Sequence, residues 1–178
     1  MHALATRLFP IGRSLTGSGV RETLRILQEH IPLTMHEVPS STAAFDWKVP
    51  KEWNVREAYI VGPDGRHIAD YRVNNLHLVG YSVLIDREMS LAELQEHLHS
   101  IESQPDAIPY VTSYYAERWG FCLSHNERQS LKEGTYRVYV DSELKDGSLT
   151  YGELVLPGSS KKEILLSTYV CPPSMANN

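Results

Sequence analysis

The sequence predicts an α+β fold in which a helix and two strands at the chain ends bracket a β-rich middle. Apolar residues recur at helical spacing over residues 20–31, with charged residues on the opposite face and Pro32 as a stop. From residue 45 to residue 156 the chain consists of short alternating runs separated by turn residues, which is typical of β-strands. Residues 164–166 then form a continuous apolar run, which predicts a strand over residues 164–168 that is buried on both faces.

Turn and cap motifs divide the chain further. Asp64-Gly65 and Asp146-Gly147 each predict a β-hairpin, because this pair readily adopts the positive backbone angles of a tight turn. A short strand is expected over residues 33–38. Capping-box patterns at residues 90–93 and 124–127 predict two helix starts, and we expect the first of these helices to continue to residue 101.

Composition excludes several classes of partner. The 178 residues suit one domain, or one domain with an insertion, and the net charge of −5 is spread without a basic block. Nucleic acid and anionic membranes are therefore not expected as partners. Cys122 and Cys171 lie far apart and form no CxxC motif, which favours a reducing compartment. Without an apolar signal core or a membrane-length run, we expect a soluble cytoplasmic protein.

Two groups of residues are candidates for ligand contact. The glycine-rich stretch 12–19 precedes a helix, so its amides and Arg13 could bind an anion; the alternative is a simple helix entry in which Ser18 caps. Exposed functional groups are expected around Asp46 and Trp47 and around Tyr114 and Tyr115. Such aromatics can bind a peptide or small molecule, but they more often form the core of a small β domain.

The histidines give a weak metal signal. No HExxH motif is present among the eight histidines. His97 and His99, if both lie on a helix, would point in different directions and could not share a metal.

Several stretches together resemble the N-terminal part of aminopeptidase-like proteins related to the co-catalytic zinc aminopeptidases. The resemblance covers essentially the whole chain, but only about the first two-fifths of a typical family member. It rests on residues 8–17 (LFPIGRSLTG), 19–24 (GVRETL), 45–54 (FDWKVPKEWN), 108–115 (IPYVTSYY), 119–122 (WGFC), 147–154 (GSLTYGEL) and 167–171 (STYVC).

The resemblance implies a domain division and a metal region. Residues 1–42 and 157–178 would form a fragment of the α/β zinc-peptidase-like core, and residues 43–156 would form an inserted small β-rich domain. In the family, the segment that matches residues 167–178 carries the first zinc ligands, a histidine and an acidic residue. Here the corresponding positions hold Tyr169, Cys171, Pro172, Asn177 and Asn178. Apart from Cys171, these are poor zinc donors, and the family's remaining ligands would lie past residue 178.

Two functions stay open at this point. The first is a non-catalytic binding or interaction module that needs no cofactor. The second is a zinc-dependent aminopeptidase-like hydrolase whose catalytic remainder is missing from this chain. Because residues 164–166 form an apolar run that this chain has no further strands to cover, we also expect a homodimer formed through the terminal segments.

Overall fold

The computed structural model describes residues 1–175 and confirms the α+β class. Helices in this range are α1 (His2–Leu8), α2 (Ser18–Gln28), α3 (Leu91–Gln95) and α4 (His125–Gln129), with 3₁₀ turns at Asn75–His77 and Pro173–Met175. None of the described helices is long and apolar enough to cross a bilayer. The two cap motifs act as expected, because the side chains of Ser90 and Ser124 accept hydrogen bonds from the amides of Glu93 and Glu127.

The central element is a four-stranded antiparallel sheet. The strands pair in the order β5 (His67–Ile68), β4 (Glu52–Val61), β9 (Thr135–Lys145) and β6 (Ile85–Ser90). The long strands β4 and β9 pair with each other, with a bulge between Val55 and Glu57. At the edges, β5 pairs with β4 and β6 pairs with β9. The β4–β5 hairpin predicted at Asp64-Gly65 is confirmed, and Gly65 has the required positive φ of 77°.

Three two-stranded pairs surround this sheet. Strand β1 (Thr34–Pro39) pairs antiparallel with β10 (Ser148–Glu153), and β2 (Ala43–Ala44) pairs with β3 (Trp47–Lys48) in a small hairpin. A parallel pair joins β7 (Leu98–His99) to β8 (Phe121–Cys122). The β1–β10 pair links segments that the resemblance assigns to different domains.

Two local predictions are wrong. The hairpin predicted at Asp146-Gly147 does not form, because β10 turns away from β9 and pairs with β1 instead. Helix α3 ends at Gln95 instead of reaching residue 101, because Leu98 is buried as part of a parallel strand pair. His97 and His99 are therefore not on a helix, and the ring of His97 stacks on Trp119 at a centroid distance of 3.7 Å.

The buried strand predicted at residues 164–168 is also wrong. This stretch has no regular secondary structure, and Ile164, Leu165 and Leu166 are each 90% exposed. A strand requires a neighbouring strand to satisfy its backbone groups. No strand among residues 1–175 pairs with this stretch, so its apolar sequence pattern lacks the sheet that would bury it.

The hydrophobic core lies on one face of the central sheet. It is formed by alternate residues of β4 and β9 together with side chains from α3 and β8, which cover the sheet. Because strand residues alternate between faces, the inward positions are apolar while their neighbours are exposed or paired in ion pairs. The most deeply buried members are Ala58, Leu94, Phe121, Leu123, Val138 and Val140.

A buried carboxylate connects the terminal segments to this sheet. Glu52, at the start of β4, accepts hydrogen bonds from both terminal nitrogens of Arg21 on α2 and from the amide of Ser148 on β10. A side chain at Gly147 would overlap the Glu52 carboxylate, so a glycine is needed where the chain passes it. The Arg21 guanidinium lowers the pKa of the Glu52 carboxyl to about 2.

We expect the pH dependence of stability to report on this contact. The folded-state pKa of Glu52 is below its unfolded value of about 4.3. The stabilisation is therefore complete above that value and is lost as the pH falls towards about 2. Urea unfolding at a series of pH values should show Glu52→Gln losing up to about 3 kcal/mol at neutral pH and much less near pH 2. The matched control is Glu29→Gln, because Glu29 forms an exposed pair with Arg7 and should lose little. Equal losses at both sites would contradict the assignment.

Candidate functional site

The glycine-rich stretch 12–19 folds as a loop packed against the start of β4. Gly17 is the N-cap of α2, with a φ of 100°, and a side chain there would overlap the carbonyl oxygen of Trp53. Ser18 does not cap as predicted: it is the first helical residue, and its amide donates to the Asn54 side-chain oxygen at 2.7 Å. A side chain at Gly12 would overlap the Tyr71 hydroxyl group. The glycines are therefore required by close packing.

This loop places Arg13 in the interior. Arg13 is 4% exposed, and its Nε donates to the carbonyl oxygen of Pro172 at 3.1 Å while Nη1 donates to that of Leu8 at 3.2 Å. The remaining nitrogen, Nη2, is buried and has no hydrogen-bond partner. Burial lowers the pKa of the Arg13 guanidinium, and the lowering is partly offset by Cys171. The loop thus holds a cation between the first helix and the last described turn.

Arg13 lines a small cavity whose other walls are mainly aromatic. Its free volume, about 20 Å³ for the centre of a water molecule, leaves room for roughly one water. Cys171 and Pro173 close one side of the cavity, and Tyr114 is the exposed lining residue at its rim. The aromatic lining residues are Trp53, Tyr71, Tyr81, Tyr110 and Tyr114.

Tyr81 organises the cavity wall. Its ring stacks on Trp53 at a centroid distance of 5.4 Å and contacts the ring of Tyr114 at 5.5 Å. Its hydroxyl group lies 2.9 Å from the hydroxyl oxygen of Thr16, which donates in turn to the carbonyl oxygen of Lys51 at 3.1 Å. The indole nitrogen of Trp53 donates to the carbonyl oxygen of Ser82 at 2.9 Å. The polar atoms of Tyr81 and Trp53 therefore each have a partner.

Three of the six described non-glycine residues with positive φ lie at or beside the cavity. Tyr81 and Tyr114 have φ values of 66° and 45°, and Ser174, next to the lining residue Pro173, has a φ of 46°. Non-glycine residues adopt this left-handed region at a cost of the order of 1 kcal/mol or more each, and such residues cluster at functional sites. The Ser174 hydroxyl group contacts the side-chain oxygens of Asn74 and Asn75, which fixes the turn against the 3₁₀ segment.

The predicted ligand-contact residues fall into two places. Arg13 and Tyr114 line the cavity, whereas Asp46 and Trp47 lie in the exposed β2–β3 hairpin. Tyr115 connects the two places, because its hydroxyl group donates to the carbonyl oxygen of Lys48 in that hairpin.

Sequence reasoning missed four cavity residues by treating the aromatics of the middle section as core. Tyr110 lies within the stretch 108–115, whose several aromatics could have indicated a wall. Nothing in the local pattern distinguishes the other three from core residues. They are Trp53, Tyr71 and Tyr81.

The residues at the expected zinc region do not fit a zinc site. The carbonyl oxygen of Pro172 is engaged by Arg13, and this buried cation would repel a second one. Burial raises the pKa of the Cys171 thiol, whereas zinc binds the thiolate. Tyr169 is exposed, and Asn177 and Asn178 lie outside the described residues. Within residues 1–175, no three His, Cys, Asp or Glu side chains come together in a metal-binding arrangement.

Comparison with known proteins identifies the family. Residues 52–143, which contain the central sheet and most of the cavity wall, match the family described as a domain of unknown function (DUF2172). The chain belongs to this family.

Its relatives are longer proteins. A Clostridium acetobutylicum protein, with the provisional name polysaccharide biosynthesis protein with aminopeptidase-like domain, is 51% identical over all 178 residues. The crystal structure of a protein from the same organism, provisionally described as a peptidase, superimposes with a TM-score of 0.94 at 51% identity and covers 99% of this chain. The chain spans 41% of the first relative's length and 42% of the second's.

We expect the Tyr81 hydroxyl group to contribute measurably to the stability of this wall. Tyr81→Phe keeps the stacked ring but removes the contact with Thr16, so urea unfolding should show a loss of about 1 kcal/mol. Tyr151→Phe, at an exposed ring, is the matched control and should change little. A Tyr81→Phe protein as stable as the wild type would show that the hydroxyl contact is not needed.

Proposed function

We propose that this chain is a non-catalytic interaction module of an aminopeptidase-like protein. In this proposal, residues 1–42 and 157–178 belong to a peptidase-like core, and residues 43–156 are a β-rich insertion. The names of the two relatives and the fraction of their length that the chain covers support this view. The observation that carries it is the exposed apolar run Ile164–Leu165–Leu166.

This run has the properties of a surface that a partner covers. Each of its three side chains is 90% exposed, and Val155 and Leu156 add further exposed apolar area at 70% and 80%. Burying one such aliphatic side chain contributes about 1.5–3 kcal/mol, so three together would stabilise a contact substantially. Exposed apolar patches of this kind mark interaction sites. The partner proposed for the run is the peptidase region that the relatives have beyond the matched part.

The alternative function is a zinc-dependent aminopeptidase-like hydrolase that uses residues of this chain. Two-metal hydrolysis requires several His and carboxylate ligands around closely spaced ions. The described residues near Cys171 offer a buried guanidinium and a protonated thiol instead, which favours a supporting role. Catalysis would then reside in the peptidase region of a longer protein.

We expect the isolated chain to bind no stoichiometric zinc and to release no amino acids from aminoacyl-anilide substrates. Metal analysis after zinc loading and dialysis tests the first point, and a chromogenic assay with added zinc tests the second. One or two tightly held zinc ions per chain, or zinc-dependent turnover that Cys171→Ala abolishes, would overturn the non-catalytic assignment.

We also expect the isolated chain to associate with itself, because a second copy is the available cover for residues 164–166. Light scattering over a concentration series should show a dimer that Leu165→Asp converts to a monomer, since a buried carboxylate would be strongly unfavourable. Leu84→Asp makes the same change at another exposed leucine and should leave the dimer intact. A monomeric mass for the wild type at all concentrations would contradict the homodimer.

A further inference from the structure

We propose that the aromatic cavity is a binding site for a carboxylate group, which the Arg13 guanidinium holds. The ligand is of a small organic acid class, with its carboxylate inside and any larger part directed past Tyr114. This site does not depend on the interaction role proposed above, because it is built entirely from described residues of the cavity.

The guanidinium of Arg13 is only partly hydrogen-bonded. Carbonyl oxygens accept from Nε and Nη1 of Arg13 and hold the group in place, but Nη2 has no partner. A buried N–H without an acceptor costs about 1–3 kcal/mol, and more when the group is charged. The two carbonyl contacts orient the guanidinium without neutralising it.

The positive charge of Arg13 is not balanced by a carboxylate in the cavity. Arg13 is only 4% exposed, and no Asp or Glu lines the cavity. The described ionisable residue that interacts favourably with the guanidinium is Cys171, whose thiol is itself held in the neutral form by burial. A buried cation without a counter-charge is strongly unfavourable, so an anionic occupant would stabilise the folded chain.

The cavity is small. The free space accommodates roughly one water, so one carboxylate oxygen fits into it as it stands and the rest of the group requires a lining ring to move. A guanidinium donates charge-assisted hydrogen bonds to a carboxylate, and Nη2 is the nitrogen of Arg13 that has no other acceptor. The rings of Tyr81 and Tyr110 also line the space.

A ligand would reach the cavity past Tyr114. Tyr114 is 39% exposed, whereas the other lining residues are buried or half-buried, so this ring is positioned as the movable part of the wall. Its left-handed backbone, with a φ of 45°, places the ring against Tyr81. A carboxylate ligand would displace this ring, and formate, the smallest carboxylate, would require the least adjustment.

Formate is the probe that tests the site. We expect sodium formate to raise the thermal unfolding temperature of the chain saturably at constant ionic strength, and saturation-transfer NMR to detect bound formate. Formamide, the neutral analogue, should do neither. Arg13→Met should weaken formate binding about tenfold or more, because it removes a charge-assisted hydrogen bond.

Two further variants keep the test decisive. Arg7→Met removes an exposed arginine and should leave formate binding unchanged. If Arg13→Met does not fold, Arg13→Lys retains the charge without the planar fork and should still weaken formate relative to chloride. Saturable formate binding that Arg13→Lys reduces and Arg7→Met does not would support the site. No saturable effect, an equal effect of chloride and formate, or unchanged binding in the Arg13 variants would overturn it.

Discussion

The carboxylate of Glu52 is the contact on which the arrangement of this chain depends. It stands at the first residue of β4 and joins that strand to α2 through Arg21 and to β10 through the amide of Ser148. The same strand start carries Trp53, whose amide donates to Thr16 and whose ring forms the cavity wall. A charge that is buried and fully paired fixes the relative positions of its partners more tightly than apolar contact alone. The geometry of the cavity therefore depends on this junction.

Local features of the fold followed from the sequence because their physical causes are local. The caps at Ser90 and Ser124 depend on a hydroxyl group and an amide three residues apart, and the turn at Gly65 depends on one positive φ. The failures are tertiary. Asp146-Gly147 has hairpin chemistry, yet the strand after it pairs with residues more than a hundred positions earlier. Helical spacing over residues 91–101 is overridden by a parallel strand pair.

The candidate site shows the same division. Arg13 and Tyr114 were identifiable because a charge in a glycine-rich loop and an aromatic pair in a turn are unusual in sequence. Trp53, Tyr71 and Tyr81 could not be separated from ordinary core residues, since an aromatic side chain beside a cavity and one in a filled core have the same local pattern. The exposure of residues 164–166 was equally hidden, because an apolar run predicts burial whether or not its cover belongs to the same chain.

The bond between Arg13 and the carbonyl of Pro172 has a consequence for how the protein is made. It joins residues 159 positions apart, and the cavity is closed only when both are in place. Chains rich in such distant contacts fold slowly, since the intervening loop must close before the contact contributes. During synthesis the central sheet can form as soon as β9 has emerged, while Arg13 has to wait until Pro172 has emerged. A ribosome-bound intermediate should therefore have an ordered sheet and an open cavity.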